Sequence, residues 1–139
     1  MSRRPAHPPV VRSASPCPCG LPLRYGECCG SLHDGRTVAT TAEQVMRSRY
    51  SAFVVGDAAY LLRTWSPATR PRAVRFEDDR RWTGLDILSR TGGSAFHTEG
   101  TVEFCAHFTL DGRTGEQREN SGFRRVDGVW VYDRAMPGR

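Results

Sequence analysis

Thr101-Val-Glu-Phe-Cys-Ala-His-Phe-Thr-Leu110 is the stretch of sequence that decides the fold, because apolar side chains occupy every second position in it. A period of two is typical of a half-buried β-strand, in which successive side chains point to opposite faces of the sheet. The apolar face comprises Val102, Phe104, Ala106, Phe108 and Leu110. The more polar face comprises Thr101, Glu103, Cys105, His107 and Thr109. We expect that polar face to meet solvent or a second copy of the chain.

The segments around this strand have the same period and are separated by turn signals. Gly92-Gly93, Asp111-Gly112 and Asp127-Gly128 each lie between two alternating segments. A pair of this kind between two strands is a strong short-range signal for a hairpin. We therefore predict an antiparallel meander with strands near residues 83–91, 97–110, 115–126 and 129–133.

The segment before the strands has the periodicity of a helix. Thr41 and Gln44 have capping-box spacing, and Gly56 suits the position just after a helix. The predicted helix between them places on one face Ala42, Val45, Met46, Arg49, Ala52 and Phe53. Asp57 is expected to cap a second, short helix that ends before Ser66-Pro67. Helices followed by a meander predict an α+β fold, with N-terminal helices packed on one face of a curved antiparallel sheet.

Four of the five cysteines lie within thirteen residues, as Cys17-Pro-Cys19 and as the adjacent pair Cys28-Cys29. Two pairs of thiols joined by a short loop can converge on one ion, and Zn²⁺ takes four thiolates at about 2.3 Å in a closed structural site. A tetrahedral set of sulfurs also suits iron. We predict one ion, zinc in the first place, bound by these four thiols. The alternatives are a disulfide pair or ordinary reduced cysteines.

The charge distribution argues against a nucleic-acid-binding body. The net charge is +5, and all twenty basic residues are arginines. Three of these arginines lie in residues 1–15, which contain no acid, so the rest of the chain carries only +2. Four thiolates around one Zn²⁺ would cancel that +2. Nucleic-acid binding needs a basic face rather than a basic tail, so we expect no nucleic acid among the partners.

The sequence contains no pattern typical of a membrane span, a secretory signal or the common catalytic motifs. No apolar run approaches the roughly 20 residues of a membrane-spanning helix, and the basic N-terminus lacks the apolar core of a secretory signal. We therefore expect a cytoplasmic protein without a membrane span. No Gly-rich phosphate loop, Ser–His–Asp order or paired-acid motif is present, so no residue is predicted to be catalytic.

Arg49 lies in the middle of the apolar face of the first predicted helix. An unpaired guanidinium in a core is very costly, so Arg49 needs a partner. Strand parity places Glu119 and Ser121 on the same face as Phe123, which is expected to point inward. We predict an Arg49–Glu119 pair with Ser121 nearby. It is either a structural ion pair between helix and sheet or the floor of a pocket for a small polar or anionic ligand.

The remaining histidine, cysteine and tryptophan positions carry weaker predictions. Glu103, Cys105 and His107 share a strand face, but residues two apart on a strand lie about 6.5–7 Å apart at Cα, so we expect no catalytic row there. His33 follows the cysteines and is an alternate metal ligand. Trp65 is expected to line either the core or a pocket.

The stretch Cys17-Pro-Cys-Gly-Leu-Pro-Leu-Arg-Tyr-Gly-Glu-Cys-Cys-Gly30 resembles the SEC-C motif, the small zinc hook at the tail of the bacterial preprotein-translocase ATPase. The motif's pattern, C-x-C-x8-C-[HC], is met here with Cys29 in its variable fourth place. The resemblance implies that Cys17, Cys19, Cys28 and Cys29 bind the metal. It also implies that the hook docks a protein partner, with the export or ribosome-associated machinery as candidates.

Other runs resemble the bacterial YchJ family: Met46-Arg-Ser-Arg-Tyr-Ser-Ala-Phe53, Tyr60-Leu-Leu-Arg-Thr-Trp65, Gly100-Thr-Val-Glu-Phe104 and Gly128-Val-Trp130. The resemblance covers roughly residues 16–135 and implies a nuclear-transport-factor-two-like body, a cone of helices against a curved sheet. That fold hosts isomerases, dehydratases and binding modules, so it does not give a function. The family's usual Glu-Arg-Ser-Arg-Phe run reads Glu119-Asn-Ser-Gly-Phe123 here, so any role of its arginines is not carried over.

These patterns predict a disordered basic tail (1–15), a SEC-C-like metal hook (16–33) and an α+β cone domain (34–139). The leading hypothesis is a small metal-binding protein whose hook docks a protein partner and whose cone takes a small ligand. The cone pocket, as predicted, comprises Arg49, Trp65, Glu119 and Ser121. One alternative is an isomerase- or dehydratase-like enzyme acting in the cone, and another is an RNA- or ribosome-associated binding protein. We expect the hook to fold independently of the body, because its metal supplies its folding energy.

Overall fold

The structure, a computed structural model, describes residues 10–77 and 79–137. A single 3-10 turn, Tyr25–Glu27, leads into three helices. The helices are α1 (Cys29–His33), α2 (Ala42–Val55) and α3 (Ala58–Arg63). Four strands follow: β1 (Arg80–Gly92), β2 (Glu99–Leu110), β3 (Arg113–Val126) and β4 (Val129–Ala135). The predicted α+β fold is therefore confirmed.

The four strands form one antiparallel sheet in chain order, β1-β2-β3-β4. The β2–β3 turn has positive φ at Asp111 (51°) and Gly112 (77°), and the β3–β4 turn has positive φ at Asp127 (52°) and Gly128 (81°). Positive φ at both central residues is the geometry of a type I′ turn, which matches the twist of its two strands. Both predicted Asp-Gly hairpins are confirmed.

The ends of helices α2 and α3 also agree with the prediction. The hydroxyl of Thr41 accepts a hydrogen bond from the backbone N–H of Gln44 at 3.1 Å, which caps α2. Gly56 follows α2 in the left-handed conformation. The carboxylate of Asp57 accepts from the N–H of Tyr60 at 3.0 Å and caps α3. Local chemistry therefore sets where each helix begins.

The main core lies between α2 and the inner face of the sheet. Helix α2 contributes Ala42, Val45, Met46, Tyr50 and Val54, and the sheet contributes Val102, Phe104, Ala106, Phe123 and Trp130. Tyr50 and Val54 were not predicted to be buried, whereas the predicted core residue Phe53 is half-buried against Phe76 and Trp82. The difference arises because α2 is covered on more than one side, so its buried surface is wider than one apolar stripe.

The start of the described chain is tied to the cysteine segment. The backbone carbonyl of Ser15 accepts from the N–H of Tyr25 at 2.8 Å, and that of Ser13 accepts from the N–H of Gly26 at 2.9 Å. Of the predicted disordered tail, residues 1–9 lie outside the described residues. None of the helices in the described ranges combines the length and the apolar character needed to cross a bilayer.

Candidate metal centre and cone pocket

The four predicted metal ligands are brought together by two tight turns. The N–H of Gly20 donates to the carbonyl of Cys17 at 3.3 Å, and Gly20 has a φ of 92°, so the chain reverses directly after Cys19. On the other side of the loop, the N–H of Cys28 donates to the carbonyl of Tyr25 at 3.0 Å, and Cys29 begins α1. The two pairs of thiols thus face one another.

The spacing of the four sulfurs fits one tetrahedral ion. The Sγ atoms of Cys17, Cys19, Cys28 and Cys29 all lie within 4.8 Å of one another. Cys19 Sγ and Cys28 Sγ are 3.7 Å apart, close to the edge of about 3.8 Å that a tetrahedron with 2.3 Å Zn–S bonds requires. All five cysteines are free thiols. The donor set and its spacing therefore fit a metal better than a disulfide.

Without a cation, the thiols compete for protons. Burial, and then the neighbouring Cys19, raises the pKa of Cys28 to about 12. Hydrogen bonding with Cys17 and Cys19 raises the pKa of Cys29, and hydrogen bonding with Cys19 and Cys29 lowers the pKa of Cys17. Four thiolates this close repel one another, and a bound divalent cation removes that repulsion by coordinating all four.

His33, the alternate ligand considered from the sequence, has both ring nitrogens engaged elsewhere. Its Nε2 lies 2.8 Å from the carbonyl oxygen of Ser48, so Nε2 carries the proton and donates. Its Nδ1 lies 2.6 Å from the hydroxyl of Tyr25, which donates to it. The ring also packs on Tyr60, with centroids 4.5 Å apart. His33 therefore joins the hook to the helices.

The hook packs tightly on helix α2, a contact that the expectation of independent folding did not include. The guanidinium of Arg47 donates to the carbonyl of Cys19 at 2.7 Å, and Cys17 Sγ lies 3.8 Å from the hydroxyl of Ser51. Ser48 and Ser51 are both fully buried, with 0% exposure. Together with the His33–Ser48 hydrogen bond, these contacts make the hook a cover over the polar side of α2.

A groove of about 280 Å³ lies where the hook meets the start of α2. Its apolar lining includes Leu21, Leu23, Leu32 and Val38, and Cys28 and Cys29 form part of its wall. Its polar lining includes Glu27, Thr37, Gln44 and Arg47. Leu23 is 47% exposed and Val38 is 65% exposed, so apolar surface borders the opening.

Arg49 is buried, as its position on α2 predicted, with 6% exposure. Its Nη1 donates to the carbonyl of Leu61 at 2.7 Å and to the hydroxyl of Thr64 at 2.8 Å. Its guanidinium carbon lies 4.9 Å from the ring centres of both Trp65 and Tyr132, a cation–π sandwich. Burial lowers the pKa of Arg49 to about 10, so the side chain remains charged at neutral pH.

Glu119 accepts hydrogen bonds from Ser121 and Tyr132, and its charge acts on Arg49 without a direct ion pair. Ser121 donates to the Glu119 carboxylate at 2.5 Å, and the hydroxyl of Tyr132 donates to the same oxygen at 3.2 Å. Among the described residues, no carboxylate oxygen lies within 4.0 Å of a nitrogen of Arg49. The predicted direct Arg49–Glu119 ion pair is therefore replaced by aromatic stacking and neutral acceptors around the cation.

The structure places the predicted cone residues around one aromatic residue that sequence reasoning missed. Tyr132 contacts Arg49, Trp65 and Phe123 by its ring and Glu119 by its hydroxyl. Its position two residues after Trp130 on β4 was the available signal, since both then point to the same face. The indole Nε1 of Trp65 is buried and has no hydrogen-bond partner in the described part of the chain.

The side chains of the polar row on β2 make their hydrogen bonds and ion pairs to neighbouring strands. Glu103 is paired with Arg118 at 3.2 Å. Cys105 was expected on the solvent or dimer face, yet only 8% of its surface is exposed. It contacts Glu116 on β3, and His107 contacts Asp86 on β1. The strand register determines which residues of β1 and β3 these side chains contact.

Comparisons with known proteins agree with both parts of this architecture. A family model described as YchJ, middle NTF2-like domain, matches residues 41–135. A UPF0225 protein of Streptomyces coelicolor is 56% identical over 117 residues, which cover 84% of this chain and 91% of that protein.

Two solved structures have a similar fold, and both are described as SEC-C motif containing proteins. The solution structure from Rhodopseudomonas palustris has a TM-score of 0.76 at 29% identity, covering 88% of this chain and 98% of its own. The crystal structure from Psychrobacter arcticus has a TM-score of 0.73 at 26% identity, covering 91% of this chain and 86% of its own. The cysteine hook and the helix-on-sheet body therefore occur together in other proteins.

Proposed function

This chain belongs to the YchJ-like family, and on that premise we propose that it is a metal-stabilised binding protein of the cytoplasm. Zn²⁺, held by Cys17, Cys19, Cys28 and Cys29, fixes the hook on helix α2. The surface formed there docks an apolar segment of another protein. The groove between hook and helix is the observation that carries this proposal.

The groove suits a protein segment better than a free metabolite. Its volume of about 280 Å³ lies just below the roughly 300–1,000 Å³ typical of small-molecule pockets, and it is open at Leu23 and Val38. Exposed apolar side chains beside a concave surface, with a polar rim, are typical of docking sites. A few apolar side chains of a partner would fill it, with the exposed Glu27 and Gln44 available to its backbone or polar groups.

Docking in this groove depends on the metal. Cys28 and Cys29 are part of the groove wall, so loss of the ion removes one side of it. The resemblance of the hook to the zinc hook of the translocase ATPase favours a partner in the export or ribosome-associated machinery. The near-neutral charge of the body disfavours RNA itself as the ligand.

Site-specific photo-crosslinking in cells tests this proposal. A photoreactive residue at Val38 should capture one predominant protein, and Leu23→Asp should abolish that capture. Val129→Asp is the matched control, because Val129 is 45% exposed and Leu23 is 47% exposed. Binding to the purified partner should then weaken at least about tenfold in Leu23→Asp, which corresponds to 1.4 kcal/mol, and should weaken after zinc removal. Equal capture from Val38 and from a photoreactive residue at Val129 would contradict the proposal.

A second candidate function is a small-ligand site in the cone, and Trp65 is the observation that favours it. Its buried Nε1 has no hydrogen-bond partner among residues 10–77 and 79–137, and it lies beside the cation of Arg49. A buried unpaired donor is costly unless something accepts from it. A small carboxylate-bearing molecule would satisfy both groups. Mass spectrometry of molecules released from the purified chain should detect such a ligand, and Arg49→Met should lose it. Identical released molecules from both proteins would exclude this role.

A further inference from the structure

Four side chains with metal-binding chemistry converge on the outer face of the sheet, away from the hook and the cone. Strand register brings them together: His107 on β2 pairs with Glu116 on β3, and Cys105 on β2 pairs with Asp86 on β1. Residues two apart on a strand share a face, so Cys105 and His107 point to the same side. The cluster is therefore built from three adjacent strands and carries a thiol, an imidazole and two carboxylates.

Three of these groups are spaced as ligands of one ion. One ligand atom each from Cys105, His107 and Glu116 lies within 4.8 Å of the others. Glu116 Oε2 is 3.4 Å from Cys105 Sγ and 3.9 Å from His107 Nδ1. Tetrahedral coordination with ordinary Zn–S, Zn–N and Zn–O bonds places such atoms about 3.3–3.5 Å apart. A shift of roughly half an ångström by the exposed Glu116 side chain would bring its distance to His107 Nδ1 into this range.

Asp86 orients the imidazole for this role. Its carboxylate lies 2.8 Å from Nε2 of His107 and accepts the proton carried there, which leaves the lone pair of Nδ1 directed toward Glu116. A carboxylate that holds one nitrogen of a histidine while the other binds the ion is the usual outer-shell arrangement of zinc sites. Gly84 lies opposite His107 on β1, so no side chain there competes for the space.

The charge around the cluster also favours a cation. Glu116 and Asp86 carry two negative charges, and their side chains are 67% and 64% exposed. Arg118, the cross-strand neighbour of Cys105 on β3, is paired with Glu103, which offsets its positive charge. An incoming ion therefore meets a negative, accessible site.

We propose that Cys105, His107 and Glu116 bind a second metal ion, a borderline divalent cation such as Zn²⁺, with Asp86 as the residue that positions His107. Mixed sulfur, nitrogen and oxygen donors select such ions over Mg²⁺ or Ca²⁺. Three protein ligands leave a coordination position for water, as in catalytic rather than structural zinc sites. This site is distinct from the closed set of four thiols in the hook.

Titration with Co²⁺ tests the proposal, because cobalt replaces zinc in such sites and its thiolate complexes absorb light. The reduced full-length chain, with zinc already in the hook, should bind one further Co²⁺ and develop a thiolate-to-cobalt band. Cys105→Ser should abolish that band, and His107→Ala and Glu116→Gln should weaken or abolish binding of the ion. Asp86→Asn should lower the affinity about 10- to 100-fold while leaving the band itself in place.

Glu99→Gln is the matched control, since Glu99 is an exposed carboxylate on β2 outside the cluster, and it should bind Co²⁺ like the wild type. Absence of a thiolate band in the wild-type titration would overturn the proposal. A band of equal strength in Cys105→Ser would overturn it as well, because the cobalt would then have entered the hook. Glu116→Gln changes an exposed side chain and keeps the test decisive if another variant fails to fold.

Discussion

Helix α2 buries two faces that differ in chemistry although they are covered equally well. Toward the sheet it presents Val45 and Met46, and toward the hook it presents Arg47, Ser48 and Ser51. Val45 is 1% exposed and both serines are 0% exposed. The apolar face packs on the sheet, whereas the polar face is covered by the hook and by Tyr60 of α3. Because the hook is itself packed around clustered thiols, we expect the burial of this second face to depend in part on the hook and its metal.

The largest expected effect comes from removing the cover. Cys28→Ser combined with Cys29→Ser should unfold the hook and also destabilise the body by about 2–4 kcal/mol, since the hook–helix hydrogen bonds contribute roughly 1 kcal/mol each and packing is lost with them. The body's melting temperature should fall by about 10–20 °C. Thermal unfolding followed by tryptophan fluorescence reports the body alone, because Trp65, Trp82 and Trp130 all lie outside the hook.

Ser89→Ala, at an exposed serine on β1 outside the hook, is the control, and it should stay within about 0.5 kcal/mol of the wild type. Chelation of the hook's metal should reproduce the effect of the double variant in the wild-type chain. An unchanged body transition in the double variant would mean that the hook folds independently, as predicted from the folding energy that its metal supplies.

The two faces also explain which features could be predicted from sequence. Hairpins, caps and clustered thiols depend on local residue chemistry, so the Asp111-Gly112 turn, the Thr41 cap and the convergence of the four thiols were predicted correctly. The burial of Ser48 and Ser51 on the hook-facing side of α2 was not predicted. Hydrophobic periodicity identifies buried apolar residues, and it does not distinguish a buried serine from an exposed one. Likewise, the contact of Cys105 with Glu116 depends on the exact β2–β3 register, which alternation alone does not determine.

Arg49 is the exception on the apolar side of α2, and the next prediction concerns how its charge is held. Arg49→Met should cost about 1–3 kcal/mol, because the Leu61 carbonyl loses its buried donor. Glu119→Gln should lower the free energy of unfolding by less than Arg49→Met does. The loss in the double variant should be close to the sum of the two single losses. Breaking one partner of a buried ion pair typically costs 3–5 kcal/mol. Denaturant unfolding of the four proteins measures these differences. Strong recovery in the double variant would show that Arg49 and Glu119 act as a direct pair.

The smallest expected effect concerns a single hydrogen bond on the polar face of α2. The Ser48 hydroxyl donates to the Val45 carbonyl at 2.9 Å and accepts from the hydroxyl of Tyr60 at 2.7 Å. Ser48→Ala should cost about 1 kcal/mol, because the Tyr60 hydroxyl loses its buried acceptor. Ser48→Ala in a Tyr60→Phe chain should cost less, since no donor is then left unpaired.

Measuring Ser48→Ala in the Cys28→Ser, Cys29→Ser variant tests whether the contribution of the Ser48–Tyr60 hydrogen bond depends on a folded hook. Water reaches the face once the hook is unfolded, so it can accept from Tyr60, and the cost of Ser48→Ala should fall toward zero. Ser89→Ala, at an exposed serine on β1, should stay within about 0.5 kcal/mol of its parent in either background. An equal cost of Ser48→Ala in both backgrounds would show that Ser48 remains dry without the hook. The polar face of α2 would then be buried by the body alone, and the metal would stabilise only the hook itself.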